Sequence, residues 1–154
     1  VTTLREQIDT SLHLDDAFAF VADFANAMRW DPGVATSERI GDDALGVGAR
    51  YRLGIRRRGR VVPMEYVVTA FEPRRRVVLS GSGSGVAAID DIRFSQTDQG
   101  TRIEYTADIR LTGLLRLLAP FAGGSFRKIA QDAREGMQRT LDAMAAAQVG
   151  SLAR

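Results

Sequence analysis

Gly100 to Met144 reads GTRIEYTADIRLTGLLRLLAPFAGGSFRKIAQDAREGMQRTLDAM, and the change of period inside it decides the fold. Up to Leu111 the apolar residues alternate, with Ile103, Tyr105, Ala107, Ile109 and Leu111 on one face, as in a strand buried on one side. From Thr112 the spacing becomes helical. It runs first over Leu114 to Phe121 and then, beyond Gly123-Gly124, through Phe126, Ile129, Ala130, Ala133, Met137, Leu141 and Met144. A final strand followed by a long amphipathic helix is the predicted end of the chain.

Upstream, period two holds for about seventy-five residues, broken by glycine or proline at hairpin intervals. Tyr51, Leu53 and Ile55 share one face of a strand and Arg50, Arg52 and Arg56 the other; Met64, Tyr66, Val68 and Ala70 line up on the next. Val77 to Leu79 continues the sheet. The run Gly81 to Gly85 reads as a flexible hairpin loop, and beyond it Ala88, Asp90, Ile92 and Phe94 share a face. At the front, Leu4, Ile8 and Leu12 mark a strand. A short helix follows, capped by Ser11, with Asp15 and Asp16 in its first turn and Phe18, Val21 and Phe24 or Ala25 on its apolar side, before the breaker Trp30-Asp31-Pro32-Gly33. The order is strand, one or two short helices, about six strands, long helix: an α+β domain in which a curved antiparallel sheet of six to seven strands wraps around the C-terminal helix.

The 154 residues suffice for one domain, expected over residues 1–148 with a short tail at 149–154, and the 45% hydrophobic and 26% charged composition is that of a globular chain. The absence of cysteine removes thiolate nucleophiles and Cys-ligated metal sites and suits a cytoplasmic location. Residues 1–10 lack the apolar stretch of a signal peptide, and the runs Ala17 to Ala22 and Ala143 to Ala147 are too short to span a membrane. Net charge is only +2. The arginines cluster at Arg56, Arg57, Arg58 and Arg60 and at Arg74 to Arg76, both at predicted turns without interleaved aromatics, so no nucleic-acid partner is expected.

A long helix cannot cover a strongly curved sheet completely, so an internal space is expected, lined by inward residues. Those are Tyr51, Leu53, Met64, Tyr66, Asp90, Ile92, Phe94, Ile103, Tyr105 and Ala107 from the sheet, with Phe126, Ile129, Ala133 and Met137 from the helix. Trp30 is read as a plug or gate at the mouth. Phe121, with Leu114 to Leu118 ahead of the Gly123-Gly124 hinge, is read as a lid or as a fixed first turn of the helix. Asp90 is the most informative polar residue: alternation points it inward and sends Asp91 outward with Arg93, unless a bulge after the glycine run swaps them. A buried carboxyl there serves as a proton carrier, as an anchor for a ligand hydroxyl, or as a structural group bonded to Tyr66 or an arginine. His13, the single histidine, falls at the strand-to-helix junction as a cap-region side chain. Gly81-Ser82-Gly83-Ser84-Gly85 puts glycine where a nucleophile elbow needs serine. No metal or cofactor site is expected.

Several segments carry a family resemblance: Phe18 to Asp23, Arg29 to Val34, Gly46 to Tyr51, Val68 to Pro73, and Phe94 through Gly100-Thr101-Arg102. In these the chain resembles the START-like (SRPBCC) superfamily of helix-grip fold, in its bacterial polyketide cyclase/dehydrase and lipid-transport group. The resemblance implies a deep cavity for lipids, polyketides or other apolar molecules, and in some members cyclisation or dehydration within it. The expected function is binding or transport of a small hydrophobic or aromatic molecule. A cyclase or dehydratase using Asp90 with Tyr66 or Tyr105 is the main rival. A third reading is an interaction module with a filled interior that docks a partner or a second copy of itself.

Overall fold

In the computed structural model, which describes residues 1–154, the alternating segments form seven strands: β1 (Thr2–Thr10), β2 (Val34–Ile40), β3 (Arg50–Arg57), β4 (Arg60–Glu72), β5 (Arg76–Gly83), β6 (Val86–Thr97) and β7 (Gly100–Leu111). They make one antiparallel sheet in the order β1-β7-β6-β5-β4-β3-β2. Helix α1 (Leu14–Val21), a 3-10 turn (Phe24–Asn26) and the single-turn α2 (Ala27–Trp30) carry the chain from one edge strand, β1, to the other, β2. After β7, a second 3-10 turn (Gly113–Leu118) leads into α3 (Ala119–Leu152), which packs against β1 and α2. This is the helix-grip arrangement. No helix is long and apolar enough to cross a membrane.

The β6–β7 hairpin sets the orientation of every inward residue that matters later. Its register runs unbroken from Val86 opposite Leu111 to Thr97 opposite Gly100, so no bulge intervenes to swap the two aspartates. Ala88, Asp90, Ile92 and Phe94 are buried, whereas Asp91 points out and takes a two-pronged contact from Arg76 at 3.0 and 2.9 Å. Two other outward arginines are held similarly: Arg102 donates to Asp9 at 2.9 Å, and Arg52 lies 3.5 Å from both Glu38 and Glu65. Burial on one face and ion pairing on the other are what period two requires.

Local chemistry departs from the expected boundaries in four places. Ser11 does not cap α1; His13 takes the cap position without a side-chain bond, and Thr10 Oγ1 instead accepts from the Leu12 amide at 3.2 Å. The glycine run is strand rather than loop as far as Gly83, and only Ser84-Gly85 turns, both at positive φ. Gly81 stays in the ladder because a Cβ there would overlap the Tyr66 ring. In β4 the register shifts between Val68 and Ala70, and Phe71 beyond it meets Phe18 edge-on at 5.4 Å. Finally, Gly123 and Gly124 lie inside one continuous α3, which also extends through the predicted tail as far as Leu152, while the residues just before the helix form only a 3-10 turn.

Candidate functional site

The two ends of the concave face are filled differently. Beneath α1, Phe18 packs edge-on against both Phe71 and Phe94 (5.0 Å to the latter), and Ile92 is fully buried below them. That end is solid. Toward the opposite end, between the sheet, α2 and α3, lies a cavity of about 250 Å³, and 21 of the 30 residues lining it are hydrophobic. Leu53, Met64, Tyr66, Ala107, Tyr105, Phe126, Ile129, Ala133, Met137 and Trp30 all line it, as does Asp90.

Ile92 and Phe94 do not reach the cavity, because α1 covers their end of the strand. Ile103, on the same solid side, is also fully buried and not exposed to the space. Tyr51 is buried outside it: its ring lies 6.3 Å from Phe24, the Arg39 guanidinium sits 5.8 Å over it, and its hydroxyl is enclosed without a hydrogen-bond partner in the neighbourhood of Asp23 and Arg39. Phe121 stands outside as well, 83% exposed. The 3-10 turn seats Leu115 against Gly85, which leaves Leu114, Leu117 and Phe121 facing away. His13 is an exposed residue at the far end of the molecule, beside α1.

Trp30 is buried, meets Phe24 at 6.4 Å and Tyr105 at 6.2 Å in edge-to-face contacts, and forms part of the cavity wall. Such contacts fix the ring planes on which a ligand would lie. Helix α3 reaches this wall closely only because residue 136 is glycine: a Cβ there would collide with the Trp30 carbonyl. Thr140 Oγ1 adds a bond to the Arg29 carbonyl at 3.1 Å.

Asp31, Tyr66, Asp90 and Tyr105 are titratable groups of the cavity lining, which also includes Glu6, Arg56, Arg57 and Arg134. Burial pushes the Asp90 carboxyl up to about 7; the Tyr105 hydroxyl opposes the shift, and the Asp31 and Asp108 charges add to it. Burial likewise raises Asp31 to about 6, against a bond from the Gly33 amide at 2.8 Å. Both phenols are driven well above their ordinary value, first by burial and then by Asp90. A group poised near neutrality can both give and take a proton at physiological pH. Asp31 was not identified from sequence as a site residue, since Asp-Pro-Gly reads as a turn; its place directly after the lone tryptophan was the available signal.

The sequence pattern of the polyketide cyclase / dehydrase and lipid transport family matches residues 1–148. The chain belongs to this family. No protein of curated function matches its sequence. Among solved structures, the Zhui aromatase/cyclase of a Streptomyces species superposes with a TM-score of 0.77 at 12% identity, covering 96% of this chain and 95% of that one. A Thermus thermophilus protein gives 0.74 at 14% identity over 93% and 99% of the two chains. A START superfamily protein of Mycobacterium smegmatis gives 0.70 at 13% over 95% and 98%. At these identities the likeness is one of fold.

Proposed function

We propose that this family member binds a small hydrophobic or aromatic molecule, lipid- or polyketide-like, in the cavity between the sheet and α3, and holds or carries it in the cytoplasm. The observation that supports this reading is a concave, largely apolar space of about 250 Å³ between the sheet and α3, with 21 of its 30 lining residues hydrophobic and a few polar groups converging on it, as in small-molecule sites.

Trp30 provides the test, as the only tryptophan in the sequence and part of the cavity wall. Titration with a neutral aromatic such as 2-naphthylmethanol is expected to change its emission saturably at one equivalent. Replacing Ala133, a small lining residue on α3, with phenylalanine fills the space and is expected to abolish the response without lowering Tm. An unchanged titration in Ala133→Phe would place binding elsewhere.

One observation favours a second reading, catalysis of cyclisation or dehydration: a carboxyl with pKa about 7 standing beside two phenols. In that case Asp90 transfers the proton and Tyr66 or Tyr105 hydrogen-bonds the substrate oxygen. Asp90→Asn would then lose turnover of a polyketide-like substrate while retaining affinity for that neutral molecule; equal turnover would sink the reading.

A further inference from the structure

The polar end of the cavity has an unbalanced inventory. Its interior polar groups are the carboxyls of Asp31 and Asp90, the phenols of Tyr66 and Tyr105, and the indole N–H of Trp30, which is buried without a hydrogen-bond partner. The three arginines at the cavity each donate to a backbone carbonyl, and of them only Arg134 also lies beside a carboxylate. Arg56 donates to the Pro32 carbonyl at 3.2 Å, Arg57 to the Ser84 carbonyl at 3.0 Å, and Arg134 to the Gln7 carbonyl at 3.2 Å while lying 3.7 Å from Glu6. Neither Asp31 nor Asp90 belongs to any of the ion pairs in the molecule. Asp90 is only 6% exposed, and Tyr66, at 9%, lines the same space.

Two carboxylates offer about eight lone-pair sites, more than the donors around them. One Asp31 oxygen takes the Gly33 amide, and the other donors on the cavity wall are the two phenolic protons and the Trp30 indole N–H. An ammonium group carries three N–H donors and a positive charge, which are the two things missing. The rings of Phe24, Trp30, Tyr66 and Tyr105 line the same space and add faces that attract a cation. We propose that this end of the cavity recognises a protonated amine, and that the ligand is an amphipathic organic cation whose ammonium meets Asp31 and Asp90 while its apolar body lies along α3.

This deepens the ligand-binding reading of the same cavity and rests on it. The groups that act on the two carboxyls are Tyr66 from β4, Tyr105 and, at longer range, Asp108 from β7, and Asp132 from α3, all of them acids. The cavity lining also carries Glu6 from β1, Arg56 and Arg57 from β3 and Arg134 from α3. A ligand carboxylate would add a further negative charge to an enclosed site that already strains to ionise, and is rejected. An ammonium instead draws both carboxyls into their ionised form and displaces the proton they hold.

The test is isothermal titration calorimetry on the full chain at pH 7, in two buffers of different ionisation heat, with 2-naphthylmethylamine, 2-naphthylmethanol and 2-naphthoic acid. The amine is expected to bind about tenfold or more tighter than the alcohol, and the acid about tenfold or more weaker. Amine binding releases roughly half a proton, as follows from a carboxyl near 7 becoming fully ionised, and alcohol binding releases none. Asp90→Asn is expected to remove the amine preference and most of the proton release, with a cooperative urea transition reporting that the variant is folded. Asp91→Asn, on the outer face, leaves both unchanged. An alcohol that binds as tightly as the amine, or an acid that binds more tightly than the alcohol, overturns the amine assignment and leaves the cavity reading standing. If none of the three binds, both fall.

Discussion

Adjacent residues of identical chemistry meet opposite fates in β6. Asp91 faces out, and its bonds to Arg76 hold its carboxyl below the usual range; Asp90 faces in, and burial raises its carboxyl to about 7. Only the parity of the strand separates them. The sign of the pH effect follows. With a native pKa above that of the unfolded chain, Asp90 binds more protons folded than unfolded between pH about 4 and 7, so its burial costs nothing below that window and progressively more through it. A shift from 3.8 to about 7 bounds the cost at about 4 kcal/mol at pH 8. Asp90→Asn should therefore raise stability in urea unfolding at pH 8 and change it little at pH 4; an equal gain at both would refute the buried ionisation. Asp91→Asn should do the reverse, lowering stability at neutral pH and losing that effect as acid protonates the native carboxylate. The direction of both side chains was legible from alternation alone. Asp31 was not, because a residue in an Asp-Pro-Gly turn is positioned by what packs on the turn, and that packing is tertiary.

At the level of elements, two glycines determine whether the cavity wall closes. Gly136 lets α3 descend onto the Trp30 carbonyl, and Gly81 lets the Tyr66 ring lie flat across β5. Gly136→Ala is expected to lose about 1–3 kcal/mol, as overpacking does, and to shift Trp30 emission, since helix and turn must separate. Gly81→Ala is expected to push the Tyr66 ring toward the cavity and weaken neutral-ligand binding more than it lowers Tm. A Gly81→Ala protein with unchanged affinity would show that Tyr66 does not form the wall. Strand and helix identities were readable because burial follows periods of 2 and 3.6, as with Ala88 to Phe94 and Met137 to Leu141. The extent of β5 was not: Gly81 and Gly83 resemble a loop locally, and the reason for glycine at 81 is a ring on the neighbouring strand. For the same reason the Gly123-Gly124 pair, read as a hinge, sits within an unbroken helix whose propensity it only weakens.

For the molecule as a whole, the aromatic plug beneath α1 and the open space beneath α2 and α3 divide one concave face into a filled half and a half that holds the cavity. Periodicity identifies the inward face but not which half of it is covered, so Ile92, Phe94 and Tyr51 were grouped with residues they resemble in sequence and not in surroundings. The distinction lies in where α1 lands, set by the register of β1 on β7 and the length of the α1–α2 connection. The central claim is that the second half holds a small molecule. Native mass spectrometry on the protein purified from its own host, followed by denaturing extraction, tests it most directly. The account predicts a single defined small molecule in excess of the chain mass, released on unfolding and absent from Ala133→Phe. A protein that carries only its chain mass, and takes up none of a panel of neutral, acidic and amine-bearing apolar compounds, would contradict it.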